Sequence, residues 1–173
     1  MIDANNIIGV IKDSNNSLNN PVIRYASRGI VIKDNQVALI NKQNKNEYKL
    51  PGGGIENNET KEQAFYREIL EEVGCEVEIK DYLGMIIEEK SNTNFKQISY
   101  VFVANVINDT NHLNLTKKEI DEGTRLLWVT PQEALDLIKD SIEKIKGSKY
   151  DSKYRSMFMV KRDAKILEYY LSK

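Results

Sequence analysis

Apolar and polar positions follow two repeats along the chain, one of two residues and one of about 3.6, which predict strands and helices respectively. Asp34-Asn35 and the polar segment 91–94 are typical of hairpin turns. A short apolar element at 5–12 precedes an Asn-rich loop at 12–21. Stretches rich in β-branched and apolar residues predict strands at 22–33, 36–42, 75–90, 95–107 and 125–130.

Three segments carry the signals of helices. Thr60 with Gln63, and Thr130 with Glu133, have the spacing of capping boxes, in which each side chain binds the backbone N–H of the other residue. A third helix is predicted at 154–171, where apolar residues recur on one face: Val160, Ala164, Leu167 and Leu171. Strands grouped with a few helices predict an α+β fold.

The first of these helices has an apolar side that should face the core. At 3.6 residues per turn, Phe65, Ile69 and Val73 form one line, joined by Tyr66 and Leu70. This stripe is predicted to be buried against the strands.

The opposite side of the same helix collects Glu68, Glu71 and Glu72, at spacings i, i+3 and i+4. Like charges at such spacings cost each other about 0.2–0.5 kcal/mol, and the helix dipole disfavours anions near the C-terminal end. Arg67 can relieve part of this repulsion by pairing with Glu71. The remaining charge is what a hard divalent cation such as Mg²⁺ or Mn²⁺ would neutralise; the alternative is an acidic face that is simply solvated.

Composition narrows the class of protein. The 173 residues fit one domain, with 21–173 as its body and 1–20 as an N-terminal segment that packs on it or is partly flexible. The formal net charge of -1 gives no global field for duplex nucleic acid or an anionic membrane. The single cysteine, Cys75, excludes an intrachain disulfide and is expected in the core. No secretory signal and no apolar run of roughly 20 residues is present, so a cytoplasmic location is expected.

The glycine-rich segment 51–54 precedes the acidic helix, and glycine lets the backbone approach a ligand closely. From here the sequence resembles the signature of the Nudix hydrolase family, in which a Gly and a Glu precede Arg-Glu-apolar-any-Glu-Glu-any-Gly-apolar. Cys75 fills the last position, which is normally aliphatic, and a looser resemblance in element order extends from about residue 21 to residue 145. The other matching positions are Gly53, Glu59, Arg67, Glu68, Ile69, Glu71, Glu72 and Gly74.

The resemblance implies a mixed β-sheet between α-helices, an α/β/α arrangement in which the signature forms a loop, a helix and a loop. It also implies an enzyme, a pyrophosphatase that hydrolyses the pyrophosphate linkage of a nucleoside diphosphate joined to another moiety. Divalent cations, Mg²⁺ or Mn²⁺, would neutralise the phosphate oxygens and activate the attacking water.

Residue roles follow from the matched positions. Glu68 would also serve as general base, while Arg67 and Glu59 would orient the carboxylates. Gly53 and Gly74 would be structural, Gly74 by ending the helix. The metal ligands implied by the resemblance are the carboxylates of Glu68, Glu71 and Glu72 and the carbonyl of Gly52.

Many members of the family recruit one more acid from a later loop. Glu119 and Glu122 are the candidates for this metal ligand, with a solvated acidic loop as the alternative. The position three residues before the Trp, often acidic in the family, is Arg125 here. Arg24 and Arg28 lie on an early strand that could border the substrate pocket, whereas Arg162, on the last helix, is expected to be solvated.

The substrate stays open among a nucleoside triphosphate, a nucleotide sugar and a dinucleoside polyphosphate. A proline that ADP-ribose enzymes commonly carry some fifteen residues after the signature is absent here. The expected partner is a small nucleotide-type molecule, with no membrane and no duplex nucleic acid, and a homo-oligomer is left open. The alternative function is a catalytically inactive Nudix-like module that senses a ligand or binds a partner.

Overall fold

The computed structural model describes residues 5–147 and 153–173. Four helices lie in this part of the chain: α1 (Lys61–Val73), α2 (Lys117–Asp121), α3 (Pro131–Lys146) and α4 (Lys153–Leu171). The strands are β1 (Ile7–Lys12), β2 (Val22–Lys33), β3 (Gln36–Lys42), β4 (Glu47–Lys49), β5 (Gly52–Gly54), β6 (Cys75–Lys90), β7 (Phe95–Asp109) and β8 (Thr124–Val129).

The strands form one mixed sheet in the order β1-β6-β7-β2-β3-β4, with β5 paired to β2 and β8 paired to β3. The neighbours β2 and β7 run parallel, whereas β6 and β7 form a long antiparallel hairpin. Asp34 and Asn35 close the β2–β3 hairpin with positive φ angles of 52° and 63°, a backbone that Asp and Asn tolerate. The predicted strands are confirmed, apart from small shifts at their ends.

Helices cover both faces of the sheet. One core, built around Ile86, Ile138 and Leu167, lies between the sheet and the helices α3 and α4. The other, built around Phe65 and Phe102, lies beneath α1. The predicted α+β fold, an α/β/α arrangement, is confirmed by this layering and by the structural neighbours described below.

The helix ends are those that the sequence predicts. Thr60 and Thr130 accept hydrogen bonds from the backbone N–H groups of Gln63 and Glu133, so both capping boxes are formed. Gly74 ends α1 with a φ of 69°. A Cβ there would lie 2.5 Å from the backbone oxygen of His112, so only glycine fits.

Two apolar residues of α1 that were predicted to be buried are exposed. Phe65, Ile69 and Val73 are buried, but Tyr66 and Leu70 point into solvent. The buried face of α1 also takes in Ala64 and Glu72, so it is turned towards the glutamate side of the helix and leaves Tyr66 and Leu70 outside. Leu171, at the end of α4, is exposed as well.

The N-terminal segment adds an edge strand to the sheet. β1 pairs in parallel with β6, and Ile8 is buried beside α4. The Asn-rich loop follows it and leads into β2. Among the described residues, no helix is long and apolar enough to cross a membrane.

Candidate active site

Arg67 is the centre of the acidic cluster on α1. Its Nε and Nη2 atoms donate to the two carboxylate oxygens of Glu59 at 2.6 and 3.0 Å. Its Nη2 also donates to the carbonyl of Gly54 at 3.0 Å, and its Nη1 donates to Glu68 at 2.9 Å. One guanidinium therefore joins the helix, the glycine segment and the loop between them, as bidentate geometry allows.

The pair between Arg67 and Glu59 sets the charge of both groups. The hydrogen bond from Arg67 lowers the pKa of Glu59 to about 2. The same bond raises the pKa of Arg67 above its usual range. Both groups are therefore charged at neutral pH, which suits the orienting role predicted for them.

Glu68 lies directly beneath the glycine segment. A Cβ on Gly53 would lie 2.4 Å from its Oε1 atom, so a side chain at that position would displace the carboxylate. Burial raises the pKa of Glu68, and the negative charge of Glu72 raises it further, while Arg67 opposes both. Burial and the charge of Glu72 together therefore outweigh the contact with Arg67.

Glu72 is buried and ties α1 to the glycine segment. Its Oε2 atom accepts a hydrogen bond from the backbone N–H of Gly52 at 3.1 Å, and its Oε1 atom lies 3.2 Å from Lys49 Nζ. Glu71 points outward, with 41% of its side chain exposed and 3.6 Å from Arg67 Nη1. The three carboxylates thus line one edge of α1 but have different partners.

Gly52 allows two strands to come unusually close. Its φ is 148°, and a Cβ would lie 2.4 Å from the Cβ of Arg28 on β2. The backbone N–H of this glycine reaches Glu72 on one side while its Cα faces Arg28 on the other. The glycine segment therefore lies between the glutamates of α1 and the arginines of β2.

The donor set suits a hard divalent cation. Glu68 and Glu72 are close enough that each charge raises the cost of the other, which a cation would relieve. Carboxylate and carbonyl oxygens are the ligands that Mg²⁺ and Mn²⁺ prefer. Within residues 5–147 and 153–173, no group of three or more acidic, His or Cys side chains is already arranged around one point. The assignment of individual metal ligands stays a prediction.

A cleft of about 470 Å³ opens on the other side of the glycine segment, with Gly52 and Gly53 in its wall. Its only acidic lining residues in the described chain are Glu47 and Glu88. The basic ones come from β2, β3, β4, β6, α2, α4 and the short turn at Gln43–Lys45. They are Arg24, Arg28, Lys42, Lys45, Lys49, Lys90, Lys118, Arg155 and Arg162.

Both predicted substrate-binding arginines lie in this cleft. Arg24 donates to the side chain of Gln97 at 3.3 Å, and the buried Arg28 donates from Nε to Ser99 at 3.0 Å. Burial, followed by the charge of Arg162, lowers the pKa of Arg28 to about 10. Arg28 is thus a buried cation that an anion in the cleft would stabilise.

A buried group of charges on α4, which was not predicted from the sequence, supports the floor of the cleft. Arg162 contacts Glu88 at 3.2 Å and Asp163 at 2.7 Å, and it is buried rather than solvated as expected. Asp163 also accepts from the backbone N–H of Leu50, just before the glycine segment. The hydroxyl of Ser156, also on α4, donates a hydrogen bond to the carboxylate of Glu47 on β4. These contacts join α4 to the strand that leads into the site.

The two later acids have other partners. Glu119 caps α2 by accepting from the backbone N–H of Thr116 at 3.1 Å. Glu122 lies 2.9 Å from Lys42 and 3.3 Å from Lys45. Burial acts to raise the pKa of Glu122, but the hydrogen bonds and charges of Lys42 and then Lys45 lower it overall. Glu122 therefore holds two lysines of the cleft, Glu119 caps α2, and a metal-binding role for either acid stays a prediction.

Fold and site together define an α/β/α domain with an acidic helix beside a basic cleft. A model of the NUDIX domain matches residues 24–148, more than half of the chain. The chain therefore belongs to the Nudix family, and the resemblance seen in its signature is confirmed. The family match supports the predicted class, an enzyme of the Nudix pyrophosphohydrolase type, which stays a proposal for this chain.

Known proteins and structures agree with this assignment. The chain is 40% identical over 82 residues to an ADP-ribose pyrophosphatase of Methanocaldococcus jannaschii, covering 46% of this chain and 48% of that protein. It therefore spans about half the length of that relative. It is 27% identical over 114 residues to a MutT-like protein of Streptomyces ambofaciens, covering 65% and 68% of the two chains. A NUDIX hydrolase from Nitrosomonas europaea shares the fold, with a TM-score of 0.59 at 17% identity over 88% of this chain and 90% of that one.

Proposed function

We propose that this protein is a divalent-metal-dependent hydrolase that cleaves the pyrophosphate linkage of a nucleoside diphosphate joined to another moiety. One observation carries the proposal. The acidic edge of α1 and the basic cleft meet at Gly52 and Gly53, so a bound pyrophosphate would have carboxylates on one side and guanidinium groups on the other. That pairing suits a reaction in which charge on phosphate oxygens must be neutralised on both sides.

The acidic side would hold the cation. Glu68, Glu71 and Glu72, together with the carbonyl of Gly52, are the proposed ligands for Mg²⁺ or Mn²⁺. When bound, the cation would neutralise phosphate oxygens and lower the pKa of water. Arg67, held by Glu59, would keep Glu68 in place.

Glu68 is the proposed general base. Burial and the charge of Glu72 raise its pKa in the metal-free chain, so its carboxylate is more basic there than an exposed one. Its carboxylate lies against Gly53, in the wall of the cleft that would hold the substrate. Its contact with Arg67 fixes the orientation of the oxygens.

The basic side would bind the substrate. Arg24 and Arg28 are proposed to contact its phosphates, because they lie in the cleft on the strand that faces the glycine segment. Nine basic against two acidic lining residues favour a substrate with three or more phosphates over a nucleotide sugar. ADP-ribose belongs among the compounds to test, since one relative carries that name.

Phosphate release from a panel of nucleotides and nucleoside diphosphate conjugates tests the proposal. The panel contains nucleoside triphosphates, dinucleoside polyphosphates, nucleotide sugars and ADP-ribose, each with Mg²⁺, with Mn²⁺ and with chelator. We expect turnover only with metal, and higher kcat/KM for the compounds that carry more phosphates. Turnover that persists in chelator would contradict the mechanism. No phosphate release from any compound, while metal still raises the Tm of the protein, would favour the alternative, a module that binds without catalysis.

A further inference from the structure

The sheet extends beyond the helix that covers one of its faces. α1 packs on the part of the sheet around Phe102, Val31 and Val77. Beyond the start of α1, the strands β1, β6, β7 and β2 continue side by side with no described helix over this face. We call this region the open face and define it by six apolar residues: Val10, Ile23, Tyr25, Met85, Ile87 and Ile98.

Strand pairing places these side chains on one surface. Ile98 pairs with Ile87 on one side and with Tyr25 on the other, and Ile87 pairs with Val10. Residues paired across a ladder point to the same face. Tyr25 also stacks on Tyr100, two residues after Ile98, with ring centroids 6.3 Å apart. A row of four apolar residues therefore crosses four adjacent strands.

The open face belongs to neither hydrophobic core. Its six residues are absent from both core clusters and from the partly buried residues packed against them. Val10 is 44% exposed, Ile23 47% and Tyr25 46%. Apolar residues exposed singly are ordinary, whereas a connected group of them is a feature of interaction surfaces.

The size of the open face matches the apolar centre of a dimer interface. Across the sheet, the open face spans three spacings between neighbouring strands of about 4.8 Å each, or roughly 14 Å between the outer Cα atoms. Along the strands it spans four residues, which is also roughly 14 Å. An ordinary interface buries roughly 800 Å² on each partner, with such a centre inside a polar rim. Two sheets of this kind pack face to face about 10 Å apart.

The charges beside the open face on one copy of the chain can pair with the same charges on a second copy. Next to the apolar row lies a second row across the strands, consisting of Lys12, Glu89, Lys96 and Ile23. A two-fold axis along the strands, between β6 and β7, reverses the strand order in the second copy. Glu89 of each copy then lies over Lys96 of the other, while the apolar row lies over itself.

We propose that the open face is the interface of a homodimer, in which two sheets pack about this axis and exchange Glu89–Lys96 ion pairs. Within one chain these two side chains lie 3.7 Å apart and remain partly exposed, so both can contact a second copy. The proposal does not depend on the catalytic function. The cleft opens on the opposite face of the sheet, beside α4, so it stays accessible in the dimer.

Sedimentation velocity of the full chain, from low to high micromolar concentration, is the first test. We expect twice the monomer mass. Val10→Asp and Tyr25→Asp should each raise the dimer Kd about a hundredfold, because each places an unpaired carboxylate against an apolar residue of the other copy. Ile107→Asp is the matched control, because Ile107 is 64% exposed on β7 but outside the open face, and it should leave the Kd unchanged. Circular dichroism checks that each variant is folded.

Mixing two charge variants tests the symmetry. Glu89→Lys and Lys96→Glu each place like charges across the axis and should weaken the dimer. An equimolar mixture should dimerise better than either alone, because opposite charges then meet between chains while the pair within each chain stays broken. A wild-type chain that stays monomeric would overturn the proposal and leave the face to a different partner. The proposal would also be overturned if Val10→Asp and Tyr25→Asp left the dimer Kd unchanged, or if the mixture of charge variants dimerised no more tightly than either variant alone.

Discussion

The two walls of the candidate site are built in different ways. The acidic wall comes from residues 52–72, where Arg67 holds Glu59 and Glu68 and the backbone N–H of Gly52 holds Glu72. The basic wall is assembled from strands and helices far apart in the sequence, and its buried pair between Arg162 and Glu88 joins residues separated by 74 positions. We infer that the acidic wall supplies the chemistry and the basic wall binds the substrate.

The largest effect should come from the acidic wall. Glu68→Gln and Glu72→Gln each keep the shape of the side chain but remove a charge, and we expect kcat to fall about a hundredfold or more. Phosphate release under saturating Mg²⁺ measures this, and Glu62→Gln on the same helix is the control. Near-normal activity in both variants would remove the acidic wall from the reaction.

A smaller loss is expected from the residue that holds Arg67. Glu59→Gln removes the charge from a bidentate pair, and we expect kcat to fall about 10–100-fold with KM little changed. Glu56→Gln is a close control, since Glu56 lies 3.8 Å from Arg67 and is mostly exposed. Equal losses in the two variants would show that Arg67 needs only nearby negative charge.

The basic wall should change binding rather than chemistry. Arg28→Gln removes a buried cation from the cleft, so KM should rise about tenfold or more while kcat stays close to that of the wild type. Lys80→Gln, on the surface away from the cleft, should have no effect on either constant. A fall in kcat at unchanged KM would place Arg28 in the chemical step. It would contradict the inference that the basic wall only binds the substrate.

The smallest effect concerns the end of the signature. Cys75 is buried, and desolvation, followed by the charge of Asp109, raises the pKa of its thiol to about 11. At pH 8 the native thiol should therefore react with an alkylating reagent about a hundredfold more slowly than the unfolded chain. Mass spectrometry of timed samples measures this rate. Rapid labelling of the folded protein would mean that the signature ends in an accessible pocket.

The contrast between the walls also explains what the sequence could predict. The acidic wall was predictable because capping at Thr60, the helix repeat and the glycine segment act over short distances. Arg162 was expected in solvent because basic residues on an amphipathic helix are usually solvated. Its burial depends on Glu88, which only the sheet topology brings beneath α4.

Two further differences have the same origin. Tyr66 and Leu70 are exposed because α1 is turned so that Ala64 and Glu72 are buried instead, and the helix repeat alone does not fix that rotation. Glu119 and Glu122 stay predicted candidates for a metal ligand. The hydrogen bond between Glu119 and Thr116 follows from the Thr-x-x-Glu spacing of a capping box, whereas the ion pairs of Glu122 with Lys42 and Lys45 depend on the loop geometry.

Binding of Mn²⁺ without any substrate, followed by electron paramagnetic resonance, tests the central claim that α1 holds the cation. We expect the wild-type chain to bind Mn²⁺, and Glu68→Gln and Glu72→Gln to weaken binding at least about tenfold. Glu119→Gln should leave binding unchanged, because its carboxylate caps α2. Mn²⁺ binding that survives in both α1 variants but is lost in Glu119→Gln would contradict the account and move the metal to the later loop.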